Sequence, residues 1–517
     1  MKQKTACAIA AVLSLSLSSL AVASTITDIG YTALQNELGA ATPTGAGVKV
    51  TQVEAPTNDT SGGAAPIFMP DPTVAEFAGK SITAINGNPS GSFSGHATEV
   101  GRLFYGHGRS IASGVTQIDS YEATDWLNSL SISAGPMIGA ATTSASRIAN
   151  HSWIGAADQA AQNGTILRTV DRQVQLNEYV QVAGLANGNS DQPLLGSAYN
   201  VIAVGRTDGI HQQTTVAVAG DSLYGTIRIA PHLVAPESTT SAATPVVSAA
   251  AAVLAQTGHD GGLTLSKGST VIAGIGAVYN AERSETVKAA LMAGADRETF
   301  NSSTSANITD YRSAGHQTAN GLDDRYGAGQ VNILNSYHIV AGGEQDSLQQ
   351  GGSDIGRFGF DYAGAFGGLN GSPRTASYFF NAPENAMLFS SLVWNVGVSN
   401  NSAFTTTLHN LNLSLYDVTL NALMAQSSST VDNTENLWVE LLGGNRYELR
   451  VTAGNAANSS WDYALAWRME GSPAPVPIPA AIWLFGSGLA GLVAMARRRK
   501  AASITVTGAH SHGNEAG

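Results

Sequence analysis

Three side chains of reactive type stand at the ends of regular segments of this chain. Ser241 lies in Thr239-Thr240-Ser241-Ala242-Ala243-Thr244-Pro245, just before the Ala-rich run Val246 to Gln256. His96 lies in Ser94-Gly95-His96-Ala97-Thr98-Glu99-Val100-Gly101-Arg102-Leu103-Phe104, and Glu54 closes the Val-rich stretch Gly45 to Glu54. A serine hydroxyl is a poor nucleophile at neutral pH and needs a base placed to take its proton. The Ala-rich run is a strong helix former, with Gly258 as its expected stop and Pro245 near the first turn, where a missing N–H costs least. A hydroxyl at that helix start feels the positive dipole end and unpaired N–H groups, which favour negative charge developing beside it. Each residue also has a plainer reading. Ser241 fits a Ser/Thr helix cap, His96 a structural histidine and Glu54 an exposed strand-end charge.

The elements that would hold these groups alternate between strand and helix. Val100, Leu103 and Phe104 give the His96 helix one buried face. Strands are expected at Gly45–Glu54, Gly114–Ile118 and Arg147–Gly155 and over Glu178–Asn189, the last running into a polar loop, with helices near Trp126, over 156–176 and at Ser284–Gly294. Such alternation implies an α/β fold: a largely parallel sheet with helices on both faces, whose sites lie at the carboxyl ends of the strands. The Gly/Gln-rich stretch Ala341–Gly352 reads as a linker. After it the period falls to two, as in Leu411, Leu413, Leu415 and in Tyr463, Leu465, Trp467, with a turn at Gly443-Gly444-Asn445. Short alternating strands without helices imply a β-sandwich of roughly 120 residues.

The Ser241, His96 and Glu54 segments resemble, in the same order, the three catalytic motifs of the subtilisin-like serine proteases (subtilases), and the resemblance covers about residues 40–345. It implies that Ser241 is the nucleophile, His96 the base and Glu54, standing where the family has Asp, the acid that orients His96. Asp59 is the alternative acid, and His107 and His151 are the other imidazoles. Ala97 replaces the usual Gly and Glu99 the usual second His. The polar loop after Glu178–Gly184 matches the site of the family's oxyanion Asn, which is Asn187 or, failing that, Asn189. Arg147–Gly155 resembles the cleft strand, which would put Ser152, Trp153 and Gly155 at the specificity pocket; Trp153 also fits ordinary core. The implied activity is hydrolysis of polypeptides, without a cofactor. Relatives often bind structural calcium, but no acidic loop here is spaced to name metal ligands. A catalytically degenerate surface binding or structural protein and an esterase are the alternatives, since Glu54, Ala97 and Glu99 depart from the pattern.

The ends carry sorting signals. Met1-Lys2-Gln3-Lys4, an apolar core and Ala21-Val22-Ala23 read as a signal peptide over 1–23, whose removal takes away Cys7, the single cysteine. Pro473 to Pro479 leads into an uncharged stretch over 478–496, long enough to span a membrane, and then Arg497-Arg498-Arg499-Lys500. That tail resembles the PEP-CTERM sorting signal of Gram-negative bacteria, which implies processing by a transpeptidase (exosortase) and export to the envelope, surface or extracellular matrix. The expected organisation is a catalytic domain over 24–345, a linker over 346–352, a β-sandwich over 353–470, the sorting segment over 471–500 and a tail over 501–517. A net charge of −12 with only 12% charged residues speaks against nucleic-acid binding.

Overall fold

The computed structural model describes residues 25–471 apart from 61–62, 86, 130–144, 189, 400–403 and 455–459. The signal peptide and the tail expected from sequence lie outside the described residues, as does the sorting segment but for Gly471. Among the described residues no helix is long and apolar enough to cross a membrane.

A seven-stranded parallel sheet is built from β1 (Val50–Glu54), β2 (Ser81–Ile85), β3 (Gln117–Glu122), β4 (Ile148–His151), β5 (Val180–Gly184), β6 (Ile202–Arg206) and β7 (Leu233–Ala235), in the order β2-β3-β1-β4-β5-β6-β7. The helices are α1 (Tyr31–Leu38), α2 (Gly95–Phe104), α3 (Ala123–Ser129), α4 (Ala160–Asn177), α5 (Thr240–Leu265), α6 (Ser284–Gly294) and α7 (Ile333–Ala341). Every residue of β1, β4 and β5 is buried, as expected of strands covered on both faces. One core joins Val50, Ile148, Val182 and Val204 to Phe104, the Ala-rich part of α5, α6 and α7. A second core, on the opposite face, joins Val53 and Ala183 to Trp126, Trp153, Ile166 and Val170. Because strand side chains alternate faces, Glu54 shares the face of Val50, the face that carries α2 and α5.

The Ala-rich helix does not stop at Gly258. Its axis runs on to Leu265 with one non-helical residue, Gly262 (φ 49°). Gly258 serves close packing instead, since a Cβ there would sit 2.9 Å from the Ala281 carbonyl carbon. Gly184 has a similar reason: a Cβ would lie 2.7 Å from Thr244 Oγ1, so the first turn of α5 rests directly on the end of β5. A β8–β9 hairpin (Ser269–Ile272 and Gly276–Tyr279) follows α5.

The C-terminal strands are β10 (Phe358–Phe366), β11 (Thr375–Asn381), β12 (Ala386–Val393), β13 (Gly397–Val398), β14 (Thr406–Thr407), β15 (Leu411–Asp417), β16 (Ala422–Ser427), β17 (Thr434–Leu441), β18 (Arg446–Ala453) and β19 (Trp461–Gly471). Eight of them form two four-stranded sheets, β10-β19-β12-β17 and β11-β18-β15-β16, around Trp394, Tyr378, Leu413, Leu449 and Trp467, and β13 pairs with β14 in a separate two-stranded sheet. Gly443–Asn445 therefore carries the chain from one sheet to the other, and is not the tip of a hairpin within one sheet.

The stretch expected as a linker is a 3₁₀ turn closed by a capping box between Ser347 and Gln350. Just before it, Gln345 N–H donates to Phe360 O at 2.8 Å. The sheets are not set apart from the α/β layers. Phe360, Val393, Ala464 and Ala466 belong to the core beneath α6 and α7. The buried Arg468 guanidinium donates to Ala293 O at 2.8 Å and Ala295 O at 3.0 Å, satisfying carbonyls at the end of α6. Its plane also lies 3.5 Å from the Phe389 ring centroid. Replacing Arg468 by Ala is expected to destabilise the chain by about 1–3 kcal/mol, because it leaves the buried Ala293 carbonyl without that donor, while Ala295 O keeps a bond from Arg297 Nη1 at 2.9 Å. Urea unfolding followed by near-UV circular dichroism measures it, and an unchanged midpoint would show that the two layers are not coupled there.

Candidate active site

Two helices present a reactive side chain in the same way. Ser94 caps α2, its Oγ accepting from Ala97 N–H at 3.0 Å, and His96 is the second helical residue. Thr239 caps α5, its Oγ1 accepting from Ala242 N–H at 3.1 Å, and Ser241 is again the second helical residue. The cap is therefore Thr239, and the Ser241 hydroxyl is left for other partners.

β1 delivers Glu54 to the same rim. Glu54 is wholly buried, and its Oε2 lies 2.8 Å from His96 Nδ1, whose side chain is 43% exposed. The Glu54 carboxylate therefore fixes the ring with its proton on Nδ1 and the free nitrogen, Nε2, turned elsewhere. Burial pushes the Glu54 carboxyl up from its ordinary value, against hydrogen bonds from His96 and Gln52 that pull it down. The Glu54 bond in turn raises His96, with partial burial opposing. Gln52, two residues earlier on the same face, donates to Glu54 Oε1 and to Ala97 O, each at 2.8 Å, and accepts from Tyr105 Oη at 2.6 Å.

β4 pairs with β1, with Val53 opposite His151, so Ser152 follows β4 beside the end of β1. Ser152 Oγ donates to Ser241 O at 3.1 Å and accepts from Asn150 Nδ2 at 2.9 Å, while Asn150 Oδ1 accepts from Ser248 Oγ at 3.0 Å. This chain of bonds locks the first turns of α5 to β4. The Ser241 hydroxyl donates to Ser152 O at 3.5 Å; among the described residues it makes no bond to His96. The Ser241 backbone N–H meets no acceptor among the described residues, as befits a first-turn donor. Asn187 is exposed, and its Oδ1 accepts from Thr240 N–H at 2.8 Å. A donor there dictates which end of the amide is oxygen, so the Nδ2 protons are the end left for a ligand.

A cleft of about 110 Å³ runs between these elements, lined by Ser152, Trp153, Ile154, Gly184, Leu185, Asn187, Thr240 and Ser241. Trp153 is both core and wall: it is 8% exposed, packs in the second core and borders the cleft. Gly155 is not in the lining; it exchanges backbone hydrogen bonds with Leu194 at 3.0 and 3.3 Å.

The alternatives are placed elsewhere. Asp59 is exposed in the loop after β1, and Asn189 lies outside the described residues. His151 faces the second core, edge-on to Trp126 and Trp153, with Nε2 3.1 Å from Gln181 Oε1. Burial drives it down to about 3, so it is a neutral core side chain. His107 makes a 3.1 Å contact with Ala78 O. Glu99 forms ion pairs with Arg102 and with Arg109 (2.8 Å) on the outer face of α2. No group of three or more metal-ligating side chains occurs among the described residues. Sequence reasoning missed Gln52 and the Ser248–Asn150–Ser152 chain, although period-two spacing from Glu54 marked Gln52.

No protein-family model and no curated protein sequence matches the chain. Among solved structures it is similar to the self-cleaved protease domain of PatA (17% identity, TM-score 0.34, covering 57% of this chain and 97% of that one). It is also similar to a protease from Pseudoalteromonas arctica (15%, TM-score 0.31, 58% and 91%). A third likeness is to the PatG macrocyclase in complex with peptide (13%, TM-score 0.34, 57% and 91%).

Proposed function

We propose that the chain is a serine endopeptidase in which Glu54, His96 and Ser241 form the catalytic triad. The observation that supports this most is the 2.8 Å bond between the buried Glu54 carboxylate and His96 Nδ1, on the same sheet rim as the start of α5. In the reaction, Ser241 Oγ attacks the peptide carbonyl carbon while its proton passes to His96 Nε2. The oxyanion is received by Ser241 N–H and Asn187 Nδ2. The C–N bond then breaks, His96 protonates the leaving amine, and water repeats the sequence to release the acid. The uncharged cleft beside Ser241 suits an extended polypeptide. The terminal sequences support export and tail processing by an exosortase-type transpeptidase.

One observation favours the second reading, a catalytically silent surface protein. The Ser241 hydroxyl donates to Ser152 O at 3.5 Å, and among the described residues it makes no hydrogen bond to the imidazole. A fluorophosphonate probe separates the two, because it labels a serine only when a base activates it. Labelling at Ser241, lost in Ser241→Ala and His96→Ala, is expected; no labelling of the folded wild type gives the silent protein. Ser241→Ala should lower peptide hydrolysis on the order of 10⁶-fold, and Asn187→Ala about 10²–10³-fold.

Glu54→Gln tests the pair by pH. His96 is raised by Glu54, so the free imidazole that acts as base appears only above its ordinary range. Removing the carboxylate charge leaves partial burial, which lowers it. The acid limb of the rate profile should therefore move to lower pH while turnover falls by orders of magnitude. An unmoved limb with unchanged turnover would transfer the role of acid to Asp59.

A further inference from the structure

Glu54 is closed off from water, and each of its two oxygens has one hydrogen-bond donor, His96 on Oε2 and Gln52 on Oε1. We propose that Gln52 and Tyr105 are positioning residues, a relay that keeps Glu54 ionised and aimed at His96 and makes this site specific for glutamate. The inference rests on the hydrolase reading for its kinetic consequence only.

The relay has one possible sense. Ala97 O can only accept, so the Gln52 nitrogen must face it, and the same nitrogen then donates to Glu54 Oε1. The Gln52 oxygen can only accept, so Tyr105 Oη donates to it at 2.6 Å. Tyr105 keeps that proton: burial and the Glu54 charge hold its hydroxyl well above the usual range. A second observation shows space reserved for this arrangement. Gly101 sits inside α2, where glycine is destabilising relative to alanine. A Cβ there would lie 2.6 Å from Tyr105 Oη and 2.9 Å from the Phe77 ring, so the glycine admits the tyrosine beneath the helix.

The remaining titratable neighbour is Glu122, the register partner of Glu54 on β3, whose Oε2 accepts from Asp125 N–H at 2.9 Å. On β4 the facing group is His151, turned to the other side of the sheet against Trp126. Among the described residues no cation other than His96 acts on Glu54, so Gln52 is its second source of stabilisation. Aspartate at position 54 would retract the carboxylate by one methylene, about 1.5 Å, and could not meet both Gln52 and His96 from this backbone.

The test uses the full chain and reads the titration of His96 by ring-proton NMR, with hydrolysis of a peptide substrate measured in parallel. In Gln52→Leu the unsupported carboxylate binds a proton more readily, so the acid step of the Glu54–His96 pair, in which the His96 ring protons report loss of the carboxylate charge, should move to higher pH by about one pH unit. Glu54→Gln, which cannot take up that proton, loses this step altogether. Turnover should fall about ten- to a hundredfold with KM nearly constant, as expected of lost alignment. Tyr105→Phe, which removes one oxygen atom, should move both in the same direction by less, and it answers the question if Gln52→Leu fails to fold. Glu54→Asp should be slower than wild type. An unmoved or lowered acid step in Gln52→Leu, or Glu54→Asp as fast as wild type, overturns the relay. Wild-type protein without hydrolysis overturns the endopeptidase reading instead, and the NMR titration still decides the relay.

Discussion

A buried carboxylate is the constraint around which the α/β half of the molecule is arranged. Glu54 has no exposed surface, and an ionised carboxyl in such a place is costly unless donors meet both oxygens. His96 and Gln52 meet them, and each requires further structure. His96 needs α2 started at Ser94, and Gln52 needs Tyr105 behind it, which needs Gly101. The exposed imidazole is thus the outer end of a polar line that runs from the helix interior to the sheet rim. Without its inner members the acid would take up a proton, and the imidazole would lose the partner that sets its tautomer.

The Ser241 side of the rim is organised by close approach rather than by charge. Gly184 lets the first turn of α5 sit on β5, and the Ser248–Asn150–Ser152 bonds fix its depth against β4. Asn187 then ties its amide oxygen to Thr240 N–H, which orients its protons without any contact to substrate. Helix α5 holds Ser241 and Thr240, while Ser152 and Asn187 come from the segments that follow β4 and β5. Under the proposed reaction, donors held in this way would leave little reorganisation for the moment when charge develops.

The sequence made much of this legible, for identifiable reasons. Strand and helix alternation gives the parallel sheet because period and length differ sharply between β1, α4 and β5. The rim positions of Glu54, His96 and Ser241 follow from a strand end and two helix starts. What stayed hidden depends on contacts between distant segments. Gly258 looks like a helix stop, yet the glycine answers to Ala281, more than twenty residues away. The Gly/Gln-rich stretch before Gly352 looks like a linker, yet its glutamines are used locally: Gln350 closes a capping box with Ser347, and Gln345 bonds to the Phe358 carbonyl. Gly443–Asn445 looks like a hairpin tip because flanking periodicity reveals strands but not the sheet each one joins. Gln52 shows the opposite case, since its period-two spacing from Glu54 was visible but had no assigned use until Tyr105 folded beneath it.

The position of the Ser241 hydroxyl bears on how this site would begin a reaction. Its contact with Ser152 O is 3.5 Å, at the outer limit of a hydrogen bond, so little is lost when the hydroxyl turns away. Rotation about one staggered torsion changes its direction while α5 stays fixed. The backbone around it cannot drift in the same way, because Ser152 Oγ holds Ser241 O at 3.1 Å and Asn187 holds Thr240 N–H at 2.8 Å. The mobile part is therefore one oxygen and its proton, and the immobile part is the set of donors that a tetrahedral oxyanion would need. A peptide carbonyl seated over Ser241 N–H also approaches the hydroxyl from the cleft side. Resting geometry of this kind is compatible with catalysis because hydrogen bonds that are long in the free enzyme shorten once substrate closes the site.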